Sequence, residues 1–147
     1  MTDVHCKAVR SFNMSRIKGK NTKPEILVRK FLFSKGFRFR IHSINLPGKP
    51  DIVLPKYKSI IFINGCFWHG HKDCKYFVIP KTRTDWWLEK INKTIYRDSL
   101  IFNELTNLGW TVHRIWTCEI KKDGSGRLNE LVNEIRESIQ QATSSHY

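Results

Sequence analysis

Three residues able to bind a metal lie close together near the middle of the chain. Cys66, His71 and Cys74 have the spacing C-x4-H-x2-C, and Cys118 follows in a later part of the sequence. Structural zinc sites use four Cys or His ligands in a tetrahedron, so a short loop with three ligands and a fourth from a distant element fits zinc. Ordinary buried thiols are the alternative, and the spacing leaves both readings open. Cys6 lies in the basic N-terminal segment, and we expect it to take no part.

An aspartate at the start of a predicted strand could serve phosphodiester hydrolysis. Asp51 follows Pro50, and a neighbouring strand runs to Ile63. A carboxylate in this position can hold Mg²⁺ against a phosphate, where the ion neutralises developing charge and activates water. Many nucleases add an acidic-x-Lys triplet on the next strand, but the equivalent Phe62-Ile63-Asn64 lacks both the acid and the lysine. The alternative role for Asp51 is to cap a turn after Pro50.

A histidine and a second carboxylate could complete such a site. His69 falls between two of the proposed zinc ligands, which would fix its backbone. An imidazole with a pKa of about 6.5 can accept a proton from water near neutral pH. Glu25, on the first predicted helix, could supply the second carboxylate, and its position also suits the cap of that helix. A lone histidine is more often a surface or core residue, so the argument for His69 depends on its place in the metal loop.

Large aromatic residues cluster around the same loop. Phe67 and Trp68 adjoin Cys66, and Trp86 and Trp87 open a long predicted helix. Aromatic side chains on a positive surface can insert between base steps and kink a duplex, which favours base pairs that deform easily. Packing beneath the zinc loop is the alternative, which we weigh at least equally for Trp86. For Phe67 and Trp68 we favour exposure.

Composition narrows the class of partner. The 147 residues carry 26 Lys and Arg against 13 Asp and Glu, a formal charge of +13. Such an excess favours a polyanion, because each neutralised phosphate releases counterions. No apolar run approaches the roughly 18 residues that span a bilayer, and the N-terminus does not resemble a signal peptide. We therefore expect a cytoplasmic protein without membrane contact, whose four cysteines stay reduced.

Hydrophobic periodicity predicts alternating helices and strands. Thr22, Pro24 and Glu25 form a capping box ahead of an amphipathic helix that ends near Gly36. Residues 64–83 show no regular hydrophobic period, and they contain most of the candidate metal ligands and the candidate base His69. The other predicted elements are strands at 37–41, 51–54 and 59–63, a helix from 84 to about 108, a strand at 110–116 and a last amphipathic helix marked by Leu128, Leu131, Val132, Ile135 and Ile139.

This order of elements indicates an α/β fold in which helices flank a central mixed sheet. The chain divides into a basic N-terminal arm over residues 1–21, a single domain over 22–142 and a flexible tail over 143–147. The arm is rich in polar and basic residues, so we expect it to lie on the partner.

The motifs resemble those of the very short patch repair (Vsr) DNA mismatch endonuclease family. They run from about residue 3 to residue 120, and the Gly-Cys-Phe-Trp-His block is highly specific. The matching segments are Arg10-Ser11-x-Asn13-Met14, Asn21-Thr22-x-x-Glu25, Leu46-Pro47-Gly48-x-Pro50-Asp51, Gly65-Cys66-Phe67-Trp68-His69-x-His71, Arg83-Thr84-x-x-Trp87-x-x-Lys90, Arg97-Asp98, Gly109-Trp110 and Trp116-x-Cys118.

The resemblance implies a restriction-endonuclease-like fold and an activity on double-stranded DNA. Members of the family nick the strand on the 5′ side of the thymine in a T·G mismatch, which arises when 5-methylcytosine deaminates. The nick leaves a 3′-hydroxyl from which a short patch is resynthesised. Expected partners are mismatch-repair proteins and a companion cytosine-5 DNA methyltransferase. We expect a monomer on DNA, because a mismatch lacks two-fold symmetry.

The resemblance also assigns roles to individual residues. Asp51 would bind Mg²⁺ with the main-chain carbonyl of Ile63, His69 would activate water, and Glu25 would support the metal-water shell or orient His69. Structural zinc would sit on the four Cys and His residues named above. The residues expected to contact the mismatch are Met14 of the arm from the minor groove, Phe67, Trp68 and Trp87 from the major groove, and Lys90.

Three departures from the family pattern affect these assignments. Position 64 is Asn, where relatives commonly carry His or Asp, so Asn64 could hydrogen-bond phosphate or metal-bound water but could not act as a base. Thr94 replaces an asparagine that often helps to read the mismatch. One extra residue between His71 and Cys74 makes Asp73 an alternative zinc ligand.

Two rival functions remain compatible with the sequence. The first is a restriction-type endonuclease on the same scaffold, which would cut a fully paired site. The second is a zinc-containing DNA-binding module without catalysis, which the Asn64 departure keeps open.

Overall fold

The computed structural model describes residues 22–144, so the predicted arm and its Met14 lie outside the described residues. The helices are α1 (Lys23–Ser34), α2 (Thr84–Asn107) and α3 (Thr117–Ser144), and the strands are β1 (Arg40–Ile41), β2 (Ile52–Leu54), β3 (Ser59–Asn64) and β4 (Thr111–Trp116). A 3-10 turn over Pro55–Tyr57 follows β2.

Helix α1 begins and ends as its sequence predicts. The Thr22 hydroxyl accepts a hydrogen bond from the backbone N–H of Glu25 at 3.4 Å, which caps the first turn. At the other end Gly36 adopts a φ of +90°, and the Phe37 N–H donates to the Leu32 carbonyl at 3.1 Å. This is a Schellman motif, in which the left-handed residue lets the chain turn back towards the sheet.

The four strands form one mixed sheet in the order β1-β2-β3-β4. Strand β2 is antiparallel to both β1 and β3, whereas β3 and β4 are parallel and joined through α2. The start of β2 and the ends of β3 and β4 therefore lie at the same end of the strands. Asp51, Asn64 and Trp116 lie at this end of the sheet, which we call the site edge.

Alternation of side chains along the strands divides the core between two faces of the sheet. Ile52 and Leu54 point to the face covered by α1 and α3, and Val53 points to the face covered by α2. The α1/α3 face is built from Val28, Leu32, Phe37, Ile52, Leu54, Ile61, Ile115, Leu128, Leu131, Val132 and Ile135, and the α2 face from Val53, Ile60, Phe62 and Leu105. The predicted α/β class, with helices flanking a mixed sheet, is confirmed.

Two elements differ in length from the prediction. Strand β1 covers only Arg40–Ile41 of the predicted 37–41. Helix α3 starts at Thr117, well before the predicted amphipathic face. The Glu119 carboxylate accepts a hydrogen bond from the Trp116 N–H at 2.8 Å, so the chain passes from β4 into a capped helix at once. The two glycines at 124 and 126 weaken the sequence signal for helix in between. Across residues 22–144, none of the helices combines the length and apolar character needed to cross a membrane.

Candidate active site and metal cluster

The four predicted zinc ligands come together at the site edge. The ligand atoms of Cys66, His71, Cys74 and Cys118 all lie within 4.8 Å of one another. Cys66 follows the end of β3, and Cys118 lies in the first turn of α3, directly after the parallel strand β4. The Nδ1 atom of His71 lies 3.4 Å from the Cys118 sulfur. Cys74 occupies the place for which Asp73 was the alternative.

The chemistry of this cluster fits zinc. Burial, and after it the adjacent sulfurs of Cys66 and Cys74, together raise the pKa of the Cys118 thiol to about 12. Three thiolates can share so small a space only beside a cation, and zinc deprotonates the thiols that bind it. The His71 ring stacks on Trp116 with centroids 4.1 Å apart and an 8° angle between the planes, which fixes its orientation.

A cleft of about 480 Å³ opens beside the cluster at the same edge of the sheet. Its wall contains all the proposed catalytic side chains and one of the aromatic residues expected to insert into DNA. Those side chains are Glu25, Asp51, Asn64, Trp68 and His69, together with Ile63. The cleft therefore combines acidic groups, an imidazole and a large aromatic ring.

Asp51 lies in this cleft just before β2 begins. Its carboxylate accepts a hydrogen bond of 2.7 Å from the Ile63 N–H, which ties it to β3. The net pKa of the Asp51 carboxyl is raised to about 6, chiefly by burial and against the lowering effect of the Ile63 hydrogen bond. The Glu25 charge raises the same pKa, and Arg29 and His69 lower it. A partly buried carboxylate with a raised pKa is one that a divalent cation would stabilise.

His69 is held by a carboxylate from α2. Its Nδ1 lies 2.7 Å from Asp98 Oδ2, and the His69 and Asp98 side chains are 30% and 13% exposed. An ionised carboxylate only accepts hydrogen bonds, so Nδ1 carries the proton and Nε2 is left as a proton acceptor. The resemblance suggested Glu25 as one group that could orient His69, whereas this contact at Nδ1 comes from Asp98.

A glycine brings the metal loop close enough to α2 for this contact. Gly70 has a φ of +63°, and a Cβ atom there would lie 2.6 Å from Cδ1 of Ile95 and 3.0 Å from Cγ2 of Ile91. A larger residue would have to displace these isoleucine side chains, and the positive φ would strain its backbone. The glycine therefore allows the loop to lie against α2, where Asp98 reaches His69.

Glu25 is 3% exposed and lines the cleft from α1. Arg29 Nη2 lies 2.9 Å from its Oε2, and His42 Nε2 lies 3.9 Å from the same oxygen. Arg29 and His42 also approach each other at 3.1 Å. The backbone N–H of Glu25 takes part in the cap of α1 through Thr22, while its carboxylate lies at the cleft beside Arg29.

The aromatic residues form one contiguous group over the loop and the start of α2. Phe67 packs against Trp68 at 5.2 Å and Trp87 at 5.4 Å, and Trp86 packs against Trp87 at 4.7 Å. Trp68 is 52% exposed and Trp86 is 42% exposed, while Phe67 and Trp87 are partly buried beneath them. The exposed ring in the cleft is therefore Trp68, and Phe67 supports it.

The remaining predicted contacts lie on α2. Lys90 Nζ is 5.5 Å from the centre of the Trp86 ring, and the Thr94 hydroxyl donates to the Lys90 carbonyl at 3.2 Å. Asn64 is 4% exposed at the end of β3 and faces the cleft. Sequence reasoning gave no role to Asp98, Arg29 or His42. The Arg97-Asp98 motif was the one signal for Asp98, but motif spacing alone does not identify its partner.

Comparison with known proteins identifies the family of the chain. Residues 2–76 match the family described as DNA mismatch endonuclease Vsr. The chain is 50% identical to the type II nicking enzyme V.NmeAIP of Neisseria meningitidis serogroup A, over 95% of this chain and 100% of that protein. It is 44% identical to the DNA mismatch endonuclease Vsr of Escherichia coli K12, over 82% of this chain and 77% of that protein.

A further relative is the type II nicking enzyme V.XorIIP of Xanthomonas oryzae pv. oryzae, 42% identical over 85% of this chain and 91% of that protein. The family match includes strands β2 and β3 and the following loop as far as Cys74. The family match covers half of the chain, and the relatives cover most of it. The chain therefore belongs to the Vsr family of DNA endonucleases.

Proposed function

We propose that the protein is a Mg²⁺-dependent endonuclease that nicks one strand of double-stranded DNA on the 5′ side of the thymine in a T·G mismatch. The observation that carries the proposal is the presence of Trp68 in the same cleft as Asp51 and His69. A ring that inserts into distorted DNA would bring the mismatch to the hydrolytic groups. The names of the relatives, as mismatch endonuclease and nicking enzymes, support single-strand cleavage.

The His69–Asp98 pair supplies the proton transfer. Water attacks the phosphorus in line with the P–O3′ bond, and His69 Nε2 takes the proton that the water loses. The P–O3′ bond breaks, and the departing O3′ takes up a proton from solvent to become a hydroxyl. Asp98 keeps the ring in the required tautomer and stabilises the imidazolium that forms.

Asp51 would hold the magnesium ion, assisted by the Ile63 carbonyl and by Glu25, which line the same cleft. The raised pKa of the Asp51 carboxyl supports this assignment, because a bound cation would relieve the cost of its burial. Bound Mg²⁺ supplies charge neutralisation at the phosphate. Asn64 cannot act as a general acid or base near neutral pH, and it would donate a hydrogen bond to a phosphate oxygen or to water.

Zinc on the Cys/His cluster would act structurally. Four protein ligands complete a tetrahedral site, so no coordination position is left for substrate. The cluster would rigidify residues 64–83, which carry both His69 and Trp68. A restriction-endonuclease-like fold, binding as a monomer, and cooperation with mismatch-repair proteins and a cytosine-5 methyltransferase belong to the same proposal.

DNA recognition would combine stacking with phosphate contacts. Trp68, supported by Phe67 and Trp87, would insert at the mismatch from the major groove, and Lys90 would contact the adjacent bases. Met14 of the arm would enter from the minor groove. The charge of +13 supplies attraction to any duplex, so selectivity must come from the cheaper distortion of a mismatched step.

The decisive experiment compares duplexes that differ in one base. A T·G duplex and its T·A and C·G counterparts, with identical flanks, are incubated with the protein and Mg²⁺, and each strand is labelled separately. We expect a single nick 5′ of the thymine in the T·G duplex alone. Asp51→Asn serves as the control against contaminating nucleases and should be inactive.

The rival functions give different outcomes in the same assay. Equal cutting of paired and mismatched duplexes would identify a restriction-type endonuclease. Binding of all duplexes without any Mg²⁺-dependent nick, across a panel of flanking sequences, would identify a zinc-containing DNA-binding module and end the proposal.

A further inference from the structure

We propose that Lys49 is a catalytic residue that contacts a non-bridging oxygen of the scissile phosphate, in place of the lysine that β3 lacks. This inference rests on the proposed phosphodiester hydrolysis but not on the identity of the mismatch. The positively charged side chain of the reaction centre then comes from the turn before Asp51, whereas many nucleases take it from a lysine on the neighbouring strand.

Lys49 lines the cleft together with Asp51, Asn64 and His69. Among the described residues of the cleft wall it is the one lysine or arginine. Within the described part of the chain, no carboxylate lies within 4.0 Å of its ammonium group. A positive charge that is not used in a salt bridge, in a cleft with two carboxylates, is available for an anionic ligand.

The backbone presents this side chain from a fixed turn. Lys49 has a φ of +49°, a left-handed conformation that residues other than glycine seldom adopt. Its N–H donates to the Leu46 carbonyl at 3.2 Å. A Cβ atom on Gly48, which has a φ of +75°, would lie 2.6 Å from Cγ2 of Ile101 on α2. The turn is therefore packed on the same helix that supports the metal loop, and strained backbone of this kind concentrates at functional sites.

The end of β3 explains why such a cation is needed. The triplet Phe62-Ile63-Asn64 stands where many nucleases place an acidic-x-Lys triplet, so β3 supplies no positive charge to the cleft. Attack of water on the phosphate adds negative charge to the non-bridging oxygens. An ammonium group beside them stabilises the transition state more than the bound substrate, because the attraction grows with that charge. Lys49 keeps its protons throughout.

The first test is a single-turnover nicking assay at saturating Mg²⁺ and saturating protein. Lys49→Met should lower the rate by about tenfold to a hundredfold, and Lys49→Arg should recover most of it. The matched control is Lys56→Met, which removes the same charge from an exposed position beyond the other end of β2. Equal effects of Lys49→Met and Lys56→Met on the rate would overturn the proposal.

The second test does not depend on cleavage. Duplexes with a preformed nick, carrying either a 5′-phosphate or a 5′-hydroxyl, are bound in Ca²⁺ and their dissociation constants are compared. The wild-type protein and Lys56→Met should prefer the 5′-phosphate, and Lys49→Met should lose most of that preference. No preference in the wild type, or a preference unchanged in Lys49→Met, would refute the phosphate contact. Preference for the 5′-phosphate without selectivity for T·G duplexes would support Lys49 while rejecting the proposed specificity.

Discussion

Replacement of Asp51 by Asn should stabilise the folded protein while abolishing nicking. The folded-state pKa of the Asp51 carboxyl is raised from 3.8 to about 6, chiefly by burial. Between these two values the unfolded chain has released a proton that the folded chain still holds. The wild-type protein therefore loses stability as the pH rises from about 4 to about 6 and loses no more above that range.

The size of the effect follows from the two pKa values. Linkage gives a loss of about 1 kcal/mol at about pH 4.5 and about 3 kcal/mol at about pH 7.5. Asn does not ionise, and its amide oxygen can still accept the Ile63 N–H. Asp51→Asn should therefore be more stable than the wild type by these amounts. At about 3 °C per kcal/mol for a chain of this size, Tm should rise by roughly 9 °C at about pH 7.5 and roughly 3 °C at about pH 4.5.

Thermal and urea unfolding of both proteins at the two pH values would measure this difference. The buffer contains no Mg²⁺ and no chelator, because a chelator would also remove zinc from the Cys/His cluster. Asp85→Asn is the control, since it removes an exposed carboxylate from the first turn of α2 and should give no gain. Added Mg²⁺ should narrow the gap by binding the wild type alone. A stability difference that is equal at the two pH values, or that disfavours Asp51→Asn at the higher one, would refute the reasoning.

Four further predictions test other parts of the molecule. Cys118→Ser should lose the bound zinc, measured by elemental analysis, and melt at a lower temperature, whereas Cys6→Ser should retain one zinc per chain; zinc-free wild-type protein would contradict the cluster assignment. Asp98→Asn should lower kcat by about a hundredfold with little change in duplex affinity, because a neutral amide no longer stabilises the imidazolium and no longer enforces the tautomer with its proton on Nδ1; an unchanged kcat and pH profile would remove the pair from the mechanism. Trp68→Ala should weaken binding of a T·G duplex by about 1–3 kcal/mol more than binding of a paired duplex, and a parallel loss on both would contradict insertion. Burial lowers the pKa of His113, so acidification below about pH 6.5 should lower the free energy of unfolding more in the wild type than in His113→Gln, as measured by urea titrations at several pH values. If this free energy falls equally with pH in both proteins, His113 does not contribute to acid sensitivity.

Local patterns were sufficient for much of the fold and for part of the site. The Thr22 cap and Gly36 defined α1 because capping depends on residues within one or two turns. The spacing of Cys66, His71 and Cys74 indicated a metal loop for the same reason. The length of α3 was not predicted, because the glycines at 124 and 126 oppose helix, whereas the Glu119 cap at its start and the buried face from Leu128 to Ile135 favour it.

Contacts between distant segments were decided only by the tertiary structure. The parallel pairing of β3 and β4 brings Cys118 to the loop, and the packing of Gly70 on α2 brings Asp98 to His69. Hydrophobic periodicity shows which face of a helix is buried, but it does not specify which residue of another element lies opposite. The sequence alone therefore determined the residue types that could do chemistry and the elements that carry them. Which of these residues meet was decided by the parallel pairing of β3 and β4 and by the packing of Gly70 on α2. Those contacts depend on packing across the whole domain.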